Sequence, residues 1–105
     1  MRPRPGEVWL ADLGMVAKTR PVVVVSRYDD DPPRALVLYV PLTSQDRGSD
    51  YEVEIPKLPF LHLEGVANIQ GIGSLALVRL ERHLGVLPKE TMDRIKDALR
   101  FALEL

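Results

Sequence analysis

The chain has no cysteine, which removes disulfide frameworks and thiolate zinc sites together. Histidine is nearly as scarce: His62 and His83 stand far apart in sequence, a poor start for a metal cluster, so a metal-free protein without cofactor from a reducing compartment is expected. There is no excess of one charge either. The formal charge is -1, with acids and bases spread evenly along the chain, so any polyanion is bound through a local site rather than a whole-protein field. No segment approaches the ~20 apolar residues of a membrane span. The opening MRPRPGEVW carries basic residues with no apolar run behind them, so a cytoplasmic protein without membrane attachment is expected.

What is present suits one small core. A length of 105 residues with 46% apolar composition is expected to form a single domain over residues 1–105. GEVWLADL, PVVVVSRY and ALVLYVPLT read as strands, being rich in β-branched residues and closed by Gly, Pro or Asp. DDDPPR at 29–34 separates the second from the third, and YEVEIP at 51–56 alternates apolar with acidic residues, which predicts a strand with one wet face. GVANIQGIGSLALVRL reads as two or three short strands broken by a bulge or bend at Gly71 and Gly73. After Pro88 the period changes: Met92, Ile95, Leu99, Ala102 and Leu103 recur at helical steps. The expected fold is mainly β, a small, strongly bent antiparallel barrel with a C-terminal α-helix packed on it.

A hairpin centred in DDDPPR pairs positions that sum to 63. Val24 then faces Tyr39, Val22 faces Pro41, and Arg20 falls opposite Thr43. Directly opposed residues have Cβ atoms about 4.5–5.5 Å apart, so a guanidinium and a hydroxyl share one rim. Arginine is permanently charged and offers forked donors that match two phosphate oxygens. Threonine can fix an orientation. Cleavage of RNA by its own 2′-hydroxyl needs a held geometry and a cation where charge builds on phosphorus oxygens, which this pair can supply. The plainer alternative is a solvated flanking arginine and an ordinary strand-ending threonine.

GEVWLADLG, TRPVVVVS and VPLTSQ resemble the opening strands of the MazF/PemK (Kid) family of toxin endoribonucleases, and EGVANIQGIGSL with LGVLPKETMDRIKDALRFALEL is similar to its closing strands and helix. The resemblance covers about residues 5–105. It implies an SH3-like barrel, a homodimer, metal-independent cutting of single-stranded RNA to a 2′,3′-cyclic phosphate and a 5′-hydroxyl, and inhibition by a cognate antitoxin whose disordered tail folds onto the toxin. It also implies that the arginine of the R-P step, Arg20, and the threonine of P-x-T-x-Q, Thr43, carry the chemistry. Lys18, Ser44, Gln45, Arg47 and His62 are the candidate substrate contacts beside them, with turn chemistry or solvation as the alternative for each.

Two departures stand out. GMVAKT is shorter than the family's Gly-rich first loop and lacks the acidic residue some members carry before the arginine, which leaves no obvious general base. Glu7 and Asp12 lie in the first strand, and Lys18 is a poor base while charged. In IQGIGSL, Gly71 and Gly73 stand where many members have larger side chains. Rival readings are a gyrase-poison type of toxin with the same barrel that acts by gripping a protein, and a decayed member that binds antitoxin only. GIGSLA matches a dinucleotide-loop pattern, but a strand rather than a helix is expected after it. Asp29, Asp30 and Asp31 lack the spacing of a calcium loop. Trp9 and Tyr39 read as core or interface aromatics.

Overall fold

Val22, Val23 and Val24 are all fully buried, which explains the unbroken valine run: the strand that carries them has protein on both faces. The computed structural model of the protein describes residues 2–14 and 19–105. It contains β1 (Glu7–Asp12), β2 (Thr19–Val24), β3 (Leu36–Thr43), β4 (Glu52–Ile55), β5 (Gly65–Asn68), β6 (Gly73–Ala76), β7 (Leu80–Val86) and α1 (Lys89–Leu103), with short 3-10 turns at Ile69–Gly71 and Leu77–Arg79. All strand pairs are antiparallel, in the order β4-β5-β3-β2-β1-β7, with β6 also on β3. The sheet curls as an SH3-like fold does but is not closed among the described residues, since β4 and β7 end the path. No described helix is long and apolar enough to cross a membrane.

The hairpin register is the one the sequence predicts: Val22 pairs with Pro41 and Val24 with Tyr39. Beyond Val24, the Val25 amide donates to the Leu38 carbonyl at 2.9 Å and Ser26 Oγ accepts from the Leu38 amide at 3.1 Å, which carries the two chains up to the loop. β3 is the corner of the sheet. Its first half pairs with β6 and its last residues, Leu42 and Thr43, pair with Ala67 and Val66 of β5.

Strand alternation divides the core in two. Val8, Val23, Val40 and Ile69 face α1 and meet Met92 and Ile95, while Ala11, Val22, Val37, Leu75 and Leu80 form a second cluster on the other face. β4 behaves as its pattern predicts, with Val53 and Ile55 buried and Glu54 exposed. The helix face is rotated slightly from the predicted one. Thr91, Met92, Ile95 and Ala98 are buried, Leu99 and Ala102 are half-buried against the core, and Leu103 lies on the exposed side.

Two further differences concern the second half of the sheet. β7 runs on to Val86, beyond the stretch that reads as strand, and pairs with β1 through two register shifts. It is an edge strand with exposed Glu81, Arg82 and His83, and therefore lacks the buried pattern that marks strands in sequence. The break expected at Gly71 and Gly73 as a bulge or bend is a 3-10 turn that ends at Gly71, with Gly73 starting β6. A Cβ on Gly71 would lie 2.6 Å from Pro41 Cγ, and one on Gly73 would lie 3.0 Å from the Tyr39 hydroxyl, so both glycines let this segment rest on β3.

Candidate functional site

Pro41 shapes the site. It forms the last rung between β2 and β3 and has no N–H with which to extend the ladder, so the two strands part beyond it. In the gap they leave is a cavity of about 380 Å³ bordered by Arg20, Pro21, Pro41, Thr43, Ser44 and Gln45. Arg20 shares the face of Val22, two residues on, and of its β1 partner Ala11, but at the start of β2 it is exposed where they are buried. The structure thus brings Arg20 and Thr43 to one cavity, although the ladder ends at Val22–Pro41 and the two are not paired as the extended register predicts.

Thr43 is held by a local contact. Its Oγ1 accepts from the Gln45 amide at 3.1 Å, which occupies a lone pair and leaves the hydroxyl proton free to donate into the cavity. Gln45 and Arg47 follow on a polar loop, and with Thr43 they border a second cavity of about 440 Å³ that reaches Asn68 and Gln70 of the neighbouring turn. No ion pair among the described residues involves Arg20 or Arg47. Their charge is available to a ligand.

Glu52, which is not among the sequence-based candidates, organises this loop. Its carboxylate accepts from the Arg47 amide at 2.9 Å, the Ser49 amide at 3.0 Å and the Ser49 hydroxyl at 2.8 Å. The backbone N–H of Arg47, followed by those contacts from Ser49, lowers the Glu52 pKa below the ordinary glutamate value. A signal was present. Ser49-Asp50-Tyr51-Glu52 has the S-x-x-E spacing in which a serine and a glutamate cap each other's backbone.

His62 is not in the cavity of Arg20 and Thr43. It lines an adjoining one of about 620 Å³, which shares Pro21 and Leu63 with the first. Lys18 lies outside the described residues. Glu7 accepts from Trp9 Nε1 and from the Arg4 amide, both at 3.1 Å, and Asp12 is 3.7 Å from Arg79 and accepts from the Gly14 amide. Neither borders the Arg20–Thr43 cavity, and no carboxylate is found among the described residues that line it.

The remaining candidates are structural. Asp29 accepts from the Asp31 amide at 2.9 Å in a side-chain turn at the hairpin tip, and no group of three or more metal-ligating side chains occurs among the described residues. The Trp9 ring lies 5.1 Å from that of His83, and Tyr39 packs against Gly73. Arg4 sits 3.9 Å above the Tyr28 ring. The segment after GIGSLA is a 3-10 turn and then β7, so no helix N-terminus faces a phosphate there.

A curled antiparallel sheet with one C-terminal helix, and a cationic, carboxylate-free cavity at the splayed end of its central hairpin, define a small single-helix β protein with a rim suited to anionic ligands. Residues 4–103 match the family of PemK-like, MazF-like toxins of type II toxin-antitoxin systems, and the chain belongs to that family. Among solved structures it is similar to an endoribonuclease in complex with its cognate antitoxin from a mycobacterial species, with 31% identity, a TM-score of 0.86 and coverage of 98% of this chain and 96% of that one. Another solved structure, of an endoribonuclease from a mycobacterial species, has 31% identity, a TM-score of 0.81 and coverage of 98% of this chain and 92% of that one. A MazE-MazF complex from Deinococcus radiodurans matches at 23% identity with a TM-score of 0.83 over 100% of this chain and 98% of that one, a likeness in fold.

Proposed function

We propose that the protein is the toxin of a type II pair and acts as an endoribonuclease on single-stranded RNA, with residues 1–105 working as one domain, as a homodimer, in the cytoplasm. The observation that carries this reading is the shared cavity of Arg20 and Thr43 at the end of the β2–β3 ladder, in a chain of this family. The 2′-oxygen attacks the adjacent phosphorus, the bond from phosphorus to the 5′-oxygen breaks, and the products are a 2′,3′-cyclic phosphate and a 5′-hydroxyl. Arg20 meets the charge that grows on the non-bridging oxygens. Thr43 donates its hydroxyl proton to one of them and fixes the phosphate in line.

With no carboxylate lining the cavity, the 2′-hydroxyl proton passes to a phosphoryl oxygen or to water, and the leaving 5′-oxygen takes a proton by the same route. Ser44, Gln45 and Arg47 hold the flanking RNA. A cognate antitoxin with a disordered tail is the natural partner, because a segment that folds on binding can cover an open groove of this kind. The test is to incubate the protein and its Arg20→Ala variant with a long single-stranded RNA in excess EDTA. Discrete fragments bearing cyclic phosphate ends are expected from the wild type and little cutting from the variant. Intact RNA in both tubes together with inhibition of a topoisomerase supports a protein-gripping toxin instead, and cutting abolished by chelator refutes the metal-free step.

A further inference from the structure

We infer that the cavity beside the Arg20–Thr43 cavity is a second RNA subsite, which takes the nucleotide next to the reacting phosphate and holds its backbone with Arg82; this rests on the RNA-cleaving reading above. Three observations carry it. First, the two cavities adjoin, because Pro21 and Leu63 border both. Second, the strand register lays a path between them. Leu10 of β1 pairs with Pro21 of β2 on one side and with Arg82 of β7 on the other, so Arg82, Leu10 and Pro21 form one row across three strands. Neighbouring strands are about 4.8 Å apart, which sets Arg82 roughly 10 Å from Pro21 along that row.

Third, the chemistry of the lining fits a nucleotide. The cavity holds about 620 Å³, with Leu10, Phe60 and Leu84 as apolar wall and Arg82, His62 and His83 as its polar side chains, of which Arg82 carries the permanent charge. The Phe60 ring lies on the backbone of Gly85, where any Cβ would collide with it, so the glycine lets the ring form part of this wall. Among the described residues no carboxylate lines this cavity or the one with Arg20, in a chain with 15 acidic residues. Nearby Glu64 is paired with Lys57 at 3.2 Å, and no ion pair among the described residues involves Arg82. By contrast, the groove between β4 and α1 is lined by four carboxylates, Asp50, Glu52, Glu54 and Asp97, against the single cation Arg94, and suits a polyanion less. A planar base against Phe60 and a phosphate on Arg82 match the apolar and charged parts.

The experiment uses oligoribonucleotides that contain one mapped cleavage site and grow by a single nucleotide at a time on either side. For the wild type, one added nucleotide on one side is expected to raise kcat/KM about tenfold, mostly through KM, as a stacked base does. Removing that base while keeping its sugar and phosphate cancels most of the gain. In Arg82→Ala the step shrinks to less than about threefold, and Arg82→Lys restores part of it, at an unchanged melting temperature. A step that persists in Arg82→Ala, or the absence of any such step in the wild type, overturns the subsite. If the Arg82 change weakens a protein partner but not RNA, the cavity is a protein-docking surface and the inference fails. Should the wild type cut nothing, the RNA-cleaving reading has failed by itself; fluorescence anisotropy with the same oligonucleotides then reads the length step and its loss in Arg82→Ala directly.

Discussion

Gly65 at the start of β5 lies against the main chain of Thr43. A Cβ at this glycine would overlap the Thr43 carbonyl oxygen and would stand 2.8 Å from the Thr43 carbonyl carbon and 2.9 Å from Ser44 Cα. The obstacle is backbone, which cannot swing away as a side-chain tip can. Gly65→Ala is therefore expected to lower stability by about 1–3 kcal/mol, as overpacking does in a well-packed site. At about 4–8 °C per kcal/mol for a domain of this size, the loss is plain in a melting curve. Whatever protein still folds must shift Thr43, so RNA cutting falls further than the folded fraction does. Unchanged melting and unchanged cutting would show that the approach is looser than described.

Ile95 is the centre of the helix-side core. It is fully buried on α1 and packs in the cluster that contains Val8, Val23 and Val40. Ile95→Ala is expected to cost about 2–5 kcal/mol, from lost transfer energy and an incompletely filled cavity. Domains of this kind have only about 5–15 kcal/mol in hand, so urea midpoints should drop sharply. Leu103, which shares the same sequence periodicity but is half exposed, should lose far less when changed to alanine. Equal losses at the two positions would mean that the helix docks in a different rotation.

How much of this was legible beforehand depends on whether a residue's role is local. The β2–β3 register could be read because the loop between the strands is centred by prolines and aspartates, and the pairing of Val22 with Pro41 follows from it. That register also brings Arg20 toward Thr43, and the cavity between them agrees. β7 could not be read in full, since its exposed Glu81, Arg82 and His83 look like loop and only the partner strand β1 makes them strand. The row from Arg82 to Pro21 was hidden for the same reason: it depends on strands distant in sequence. Glu52 was overlooked although its signal is local, because the alternation of YEVEIP drew attention to burial and away from the S-x-x-E spacing.

Glu52 gives the protein a pH dependence of known sign. Its carboxylate is stabilised in the folded state by the Arg47 amide first and then by the Ser49 contacts, so its folded pKa lies below its unfolded one. Such a group contributes stability that is fully present above the unfolded value, near 4.5, and is lost as pH falls through the folded value. The wild type should therefore exceed Glu52→Gln in stability at neutral pH, and the gap should close as pH falls below the unfolded value and through the folded one. Amide hydrogen exchange at Arg47 and Ser49 should quicken in Glu52→Gln at neutral pH. If the gap is constant down to acid, the carboxylate charge is not what holds the loop.

Arg20 tests the proposed chemistry most directly, because charge and shape can be separated at this position. Arg20 is exposed at the start of β2, and Val22 further along the same face fills the core instead, so its replacement should leave the melting temperature nearly unchanged. Arg20→Ala removes the cation from the developing phosphorane and is expected to lower kcat about 10²–10³-fold, the range found when one preorganised donor to a developing oxyanion is deleted. Arg20→Lys keeps the charge but presents a point instead of a planar fork, so its kcat should fall between the two. The order wild type, lysine, alanine, with KM changing less than kcat, is what a transition-state cation requires. If lysine and alanine are equally inactive, the fork geometry matters and bulk charge does not; if alanine cuts like the wild type, Arg20 has no part in the chemistry and the site must be sought elsewhere on the rim.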